Sequence, residues 1–329
     1  MPFTPTAPHP DLYTVVCPAR SQMVPVRRQS YHVLQWGEPD GHTPPLVMVH
    51  GWMDVGASFQ FVVDALARRG SRRWVIAPDW RGFGRTPSGG ADCFWFPDYL
   101  ADLDALLDHF SPDAPVDLVG HSMGGNVAML YAGVRPARIR RLVNLEGFGM
   151  PATRPTQAPG RLTQWLDEIK ALHQGDKALK SYDSAADVAR RLTKTNPRLK
   201  ADKALWLAQH WAAPDDQGRW QILGDAGHKL INPQLYRVEE MLAAYQRITA
   251  PVLAVEASDN QMELWWKGRY TLAEYHERLT SVPSVQLARV DDAGHMLHHD
   301  QPEMVAGLIE AHLSTPDPVA TRDDSAPGG

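Results

Sequence analysis

Short, mostly apolar runs punctuate the chain at residues 46–49, 74–77, 116–119, 142–145, 252–255 and 285–290. Runs of this length and apolar content predict buried strands of a mostly parallel sheet. Between them the periodicity changes. Leu100, Leu103, Leu106, Leu107 and Phe110 fall at helical spacing within 99–110, which predicts an amphipathic crossover helix lying on that sheet. Two further segments, 12–17 and 30–36, predict an antiparallel pair at the start of the sheet, joined through a turn bearing proline and arginine. The pattern is that of an α/β fold, a mostly parallel sheet flanked by helices.

The alternation stops after Phe148 and resumes at Pro251. Residues 149–246 therefore predict an inserted helical cap between two stretches of core, 11–148 and 247–313. Helices are expected over 162–173, 184–195 and 201–211, with loops rather than strands elsewhere in the insert. Its Trp165, Trp206, Trp211, Trp220 and Tyr236 pack a small core or line a pocket. Residues 1–10 and 314–329, rich in Pro, Asp and Ala, read as disordered.

Composition narrows the partners. A net charge of -5 with no basic block argues against nucleic acid, and 43% hydrophobic residues is ordinary for a soluble globular chain. No apolar stretch approaches the length of a membrane span, and no charged n-region precedes an apolar one, so the expectation is a cytoplasmic protein with no membrane partner. Cys17 and Cys93 have neither C-x-x-C nor ligand spacing, which predicts no disulfide framework and no zinc site. Oligomeric state is not legible.

The chemistry concentrates at Gly120-His121-Ser122-Met123-Gly124. An apolar run precedes it and the small-residue, helix-compatible run 126–132 follows, so the serine sits on a strand-to-helix turn, a nucleophile elbow. A serine needs a base, and the base needs a third group to hold it. His295, after Asp291-Asp292-Ala293-Gly294 and just beyond the last expected strand, is the candidate general base. His298 and His299 follow too closely to leave that loop and are expected to begin the final helix, while His228 in the insert is the nearest rival. Backbone amides of Met123 and Trp52 are the candidate oxyanion donors. Trp52 lies in the turn His50-Gly51-Trp52-Met53-Asp54, where His50 and Gly51 are structural and the indole packs or walls an acyl pocket.

These residues resemble the α/β-hydrolase superfamily. His50-Gly51-Trp52, Asp79-Trp80-Arg81-Gly82-Phe83-Gly84-Arg85-Thr86, the 120–124 elbow and Ala293-Gly294-His295 occur in the family's order, over roughly residues 30–313. Within it the chain is similar to a serine hydrolase-like branch, on Gly51-Trp52-Met53-Asp54 and Leu145-Glu146-Gly147-Phe148-Gly149. The resemblance implies the α/β-hydrolase fold and an esterase-like serine hydrolase, with Asp79 and Arg81 holding a loop beside the site.

The acid departs from the family's common pattern. Its usual place after the strand that follows the insert falls on Asn260, with Asp259 one residue early. Some relatives carry it at the end of the strand before the insert, which here is Glu146. Position favours Glu146 as the third member, with Asp259 the alternative. The leading expectation is hydrolysis of a small or medium, largely apolar carboxylic ester through an acyl-enzyme, with no cofactor or metal required. Thioesterase, lactonase, amidase, carbon-carbon bond hydrolase and acyltransferase chemistry would use the same parts. A serine in the elbow disfavours haloalkane dehalogenase and epoxide hydrolase chemistry. A receptor of this fold without turnover is the reading from another class, resting on Asn260.

Overall fold

A computed structural model describes residues 12–315; of the disorder expected over 1–10 and 314–329, Ser314 instead closes a helix and all but 314–315 lies outside the described residues. The chain opens with the strands β1 (Arg20–Val26) and β2 (Gln29–Trp36), then β3 (Leu46–Val49), helix α1 (Gln60–Arg68), β4 (Val75–Pro78), α2 (Phe96–Phe110), β5 (Val116–His121), α3 (Met123–Val134) and β6 (Ile139–Leu145). The inserted segment follows: α4 (Ala158–His173), β7 (Ser181–Tyr182), α5 (Ala185–Thr195), α6 (Ala201–Trp211), β8 (Ala212–Pro214), β9 (Trp220–Ile222) and α7 (Val238–Tyr245). The chain then adds β10 (Val252–Ala257), α8 (Met262–Trp266), α9 (Leu272–Leu279), β11 (Val285–Val290), α10 (Leu297–Asp300) and α11 (Pro302–Ser314).

Eight strands form one sheet in the order β1-β2-β4-β3-β5-β6-β10-β11. The two pairings that involve β2 are antiparallel and the other five are parallel. The inner strands are apolar because both faces are covered. Val47 and Val49 of β3 pack into a layer with Leu103 of α2 and Val127 of α3, whereas Leu46 and Met48 face Val62 of α1 and Val305 of α11. From β3 the chain steps first to β4 on one side and then to β5 on the other. The carboxyl ends of β3 and β5 therefore flank a topological switch point, where open α/β sheets carry their sites.

Three expectations need correction. Residues 12–17 are not a strand: the amides of Val16 and Cys17 donate to the buried Asp64 carboxylate of α1 at 3.2 and 2.8 Å, which holds the segment against that helix. The partner of β2 is instead β1, an edge strand whose mostly exposed pattern hides it from a search for apolar runs. Nor is the insert made of helices and loops alone, since β7, β9 and β8 form a three-stranded antiparallel sheet beside α5 and α6. Strands of two or three residues are too short to leave a period.

The insert has its own apolar cluster, Val188, Leu192, Leu199, Ala204 and Leu207, which is continuous with Phe61 of α1. Trp206, Trp211 and Trp220 pack at its border. Polar ties also reach the sheet's loops: Trp211 Nε1 donates to Asp54 at 3.2 Å, Lys203 Nζ to the His299 carbonyl at 3.1 Å, and Trp52 Nε1 to the His228 carbonyl at 3.0 Å.

Candidate active site

Close backbone packing forces the turn between β5 and α3. A Cβ on Gly120 would lie 2.4 Å from the Gly124 carbonyl oxygen, and one on Gly124 would lie 2.3 Å from that of Val49. No side chain fits in either place. Between them Ser122 takes φ 51° and ψ -115°, a conformation that costs a non-glycine residue of order 1–3 kcal/mol and persists only where the surroundings impose it. Its amide is anchored to the Leu145 carbonyl at 2.8 Å.

His295 arrives from the loop between β11 and α10, as the chain pattern anticipates. Ser122 Oγ lies 2.9 Å from His295 Nε2, and Glu146 Oε2 lies 3.1 Å from His295 Nδ1. A carboxylate can only accept, so Nδ1 carries the proton and Nε2 is left to accept from the serine hydroxyl. That is the tautomer a general base needs. Glu146 is fixed on all sides. It takes φ 56° immediately after β6, its amide donates to the Val255 carbonyl at 3.0 Å, and its Oε1 accepts the Ala257 amide at 2.6 Å. Burial pushes its carboxyl above the usual range, opposed by His295 and the Ala257 amide. Trp265 of α8 stands edge-on to the His295 ring with centroids 4.5 Å apart.

The structure does not bring Asp259 to this group. Its half-exposed carboxylate pairs with Arg198 at 3.1 Å, and the Asn260 side chain donates weakly to the Ala257 carbonyl at 3.4 Å. His228 is also elsewhere, stacked between Phe83 and Phe94 with 3.6 Å centroid separations on both sides and its Nε2 donating to the Arg81 carbonyl at 3.1 Å.

Trp52 follows Gly51 on the loop after β3, and Met123 follows Ser122 at the start of α3. A Cβ on Gly51 would approach Ser122 Cβ to 3.1 Å, so the 50–54 loop lies directly against Ser122, while Met123 opens α3. His50 is structural: it accepts the Trp80 amide at 2.9 Å through Nε2 and donates to the Gly51 carbonyl at 2.7 Å through Nδ1. Both Trp52 and Met123 line a cavity of about 140 Å³ shared with Phe94, Tyr99, Trp165, Leu230 and Ile231. The Asp79 and Arg81 loop is tied down as the resemblance implies. Asp79 accepts from Gly56 and Arg85 amides and pairs with His32, and Arg81 grips the buried Asp102 through Nε at 2.5 Å and Nη2 at 2.6 Å.

Sequence reasoning missed the layer behind these loops. His121 Nε2 donates to the His295 carbonyl at 2.8 Å, its ring lies 4.3 Å from that of His298, and His298 lies 4.2 Å from His299. Burial lowers the pKa of both His121 and His299 and keeps them neutral. Asp54 faces the pair. Burial pushes its carboxyl up, but His298 and His299 outweigh that and leave it below the usual range. The adjacent pair His298-His299 was the visible signal, and the sequence does not say that Asp54 meets it.

The buried histidines carry a pH prediction. Burial holds the His228 pKa down to about 3 and that of His210 to about 4, against ~6.5 for an exposed imidazole. As pH falls the unfolded chain binds protons first, so stability is full above about pH 6.5 and is lost progressively below it. At pH 5 the loss from His228 alone is about 2 kcal/mol. Denaturation of wild type and His228→Asn between pH 7 and 5 checks this: the wild type should lose more than the variant, and parallel curves would contradict the assignment.

A model of the alpha/beta hydrolase fold family matches residues 44–302. Over 302 residues the chain is 26% identical to a serine hydrolase-like protein of Danio rerio, covering 88% of this chain and 89% of that one. It is 25% identical to an sn-1-specific diacylglycerol lipase of Mus musculus, covering 87% of this chain and 85% of the other. Among solved structures, the thioesterase domain from a curacin biosynthetic pathway superposes with a TM-score of 0.75 at 23% identity, covering 89% of this chain and 99% of that domain. Among the described residues no helix is long and apolar enough to cross a membrane.

Proposed function

The chain belongs to the α/β-hydrolase fold family, and from that premise we propose that it is a serine hydrolase cleaving small or medium, largely apolar carboxylic esters through an acyl-enzyme. The observation that carries the proposal is the continuous relay from Ser122 Oγ to His295 Nε2 at 2.9 Å and from His295 Nδ1 to Glu146 at 3.1 Å. Ser122 attacks the ester carbonyl as His295 takes its proton. The amides of Trp52 and Met123 hold the developing oxyanion, and the imidazolium is stabilised by Glu146, which stays ionised. His295 then protonates the departing alcohol. Water, deprotonated by the same histidine, releases the acid and restores the serine.

Residues 149–246 act as the cap over this site, and the aromatic cavity beside Trp52 and Met123 receives the apolar part of the substrate. The diacylglycerol lipase likeness fits an apolar acyl ester. The free thiols Cys17 and Cys93 fit a cytoplasmic setting. A receptor without turnover is disfavoured, since Glu146 supplies the acid that Asn260 lacks.

A series of nitrophenyl esters, from acetate to decanoate with a charged dicarboxylate monoester beside them, tests the proposal. Neutral esters should turn over at least ~10-fold faster in kcat/KM than the charged one, because no Lys or Arg lines the cavity to offset a buried anion. Hydrolysis of none of them, or preference for the charged ester, would overturn it.

A further inference from the structure

We propose that Asp54, His298 and His299 form a buried site for a divalent transition metal of the zinc class, joining the loop after β3 to the loop that carries His295. One ligand atom from each of the three lies within 4.8 Å of the others, and the residues are 3%, 0% and 4% exposed. Asp54 Oδ2, both ring nitrogens of His298 and Nε2 of His299 are buried with no hydrogen-bond partner among the described residues. A buried polar atom without a partner is costly, and a carboxylate oxygen and two imidazoles left so in one place call for an occupant.

The geometry suits an ion better than direct pairing. Asp54 Oδ2 stands 3.8 Å from His298 Nε2, too far for a hydrogen bond. Two ligands of one tetrahedral ion with bonds of about 2.0–2.1 Å stand roughly 3.4 Å apart. The carboxylate is also pre-oriented. Its Oδ1 accepts from the Val55 amide at 2.9 Å, from Trp211 Nε1 at 3.2 Å and from Ser58 Oγ, which leaves Oδ2 alone to face the histidines. Metal sites commonly hold their carboxylate in this way. Two imidazoles with one carboxylate is a borderline donor set that selects zinc-like ions over magnesium or calcium.

Asp54 lies two residues beyond Trp52, and His298 three beyond His295, so a bound ion would brace the proposed oxyanion loop against the proposed base. The site itself does not depend on the hydrolase reading, and its test uses binding rather than turnover. Chelator-treated full-length protein is titrated with Zn²⁺ by calorimetry and with Co²⁺ by visible absorption, for wild type, His299→Asn and Asp54→Asn. We expect one equivalent of Zn²⁺, ligand-field bands of low-coordinate Co²⁺, a raised Tm, and at least ~10-fold weaker binding in each variant. Because the variants could fold poorly, crystals of wild type soaked in Zn²⁺ are measured at the zinc edge, where an anomalous peak among the three side chains is expected. Absence of stoichiometric binding, variants that bind as wild type does, or an ordered water in place of the peak would overturn the site.

Discussion

Ser122→Ala is expected to lower turnover of the preferred nitrophenyl ester by about 10⁴- to 10⁶-fold while the protein stays folded, the scale on which loss of a serine nucleophile is felt in other hydrolases. The expectation follows from the elbow. Gly120 and Gly124 leave no room for side chains, the Ser122 amide is bound to Leu145, and the hydroxyl lies 2.9 Å from the base. Alanine removes only the oxygen from this setting. The amides of Trp52 and Met123 should then sustain a small residual rate above that of water. Circular dichroism and Tm separate lost chemistry from lost folding, and a variant retaining a tenth or more of wild-type kcat would contradict the role.

Two carboxylates compete for the third place, and their isosteric amides should behave in opposite ways. Glu146→Gln is expected to cost about 10³- to 10⁴-fold in kcat. The glutamine oxygen can still accept the Ala257 amide, but its NH₂ would then face His295 Nδ1, a donor opposed to a donor, and the imidazole would turn to the tautomer that cannot accept from Ser122. Asp259→Asn removes one half of a solvent-exposed pair with Arg198, worth little in a screened setting, and should leave kcat within about threefold of wild type. Large loss in the Asp259 variant with none at Glu146 would reverse the assignment.

What the sequence made legible follows burial. The inner strands announce themselves because both faces are covered, so β3 and β10 contain the apolar runs 46–49 and 252–255. β1 lies at the edge with most of its residues exposed and leaves no such trace. The opposite error arises at residues 12–17, apolar enough to resemble a strand yet held by Asp64 through side-chain bonds that carry no periodicity. Ser122 and His295 are readable because a strained turn and a terminal loop need particular residues there. Position alone favoured Glu146 over Asp259, but the contacts that make the selection were not readable. That selection depends on a positive φ after β6 and on the Ala257 amide of β10, both products of strand pairing. For the same reason, nothing in the chain order announces that Asp54 would face His298 and His299.

Ser122, Glu146 and Met53, the last in the proposed oxyanion loop, all take positive φ. The surrounding sheet therefore holds these residues in conformations they would not adopt alone, as pre-organisation of the proposed site requires.

The most direct test of the central claim is reaction of the wild-type protein with a fluorophosphonate, followed by mass spectrometry of its peptides. Only a serine deprotonated by a neighbouring base displaces the fluoride quickly. A single rapid adduct on Ser122 is expected, slowed strongly in Glu146→Gln and unaffected in Asp259→Asn. Folded wild-type protein that gains no adduct, or gains it on another residue, would contradict it.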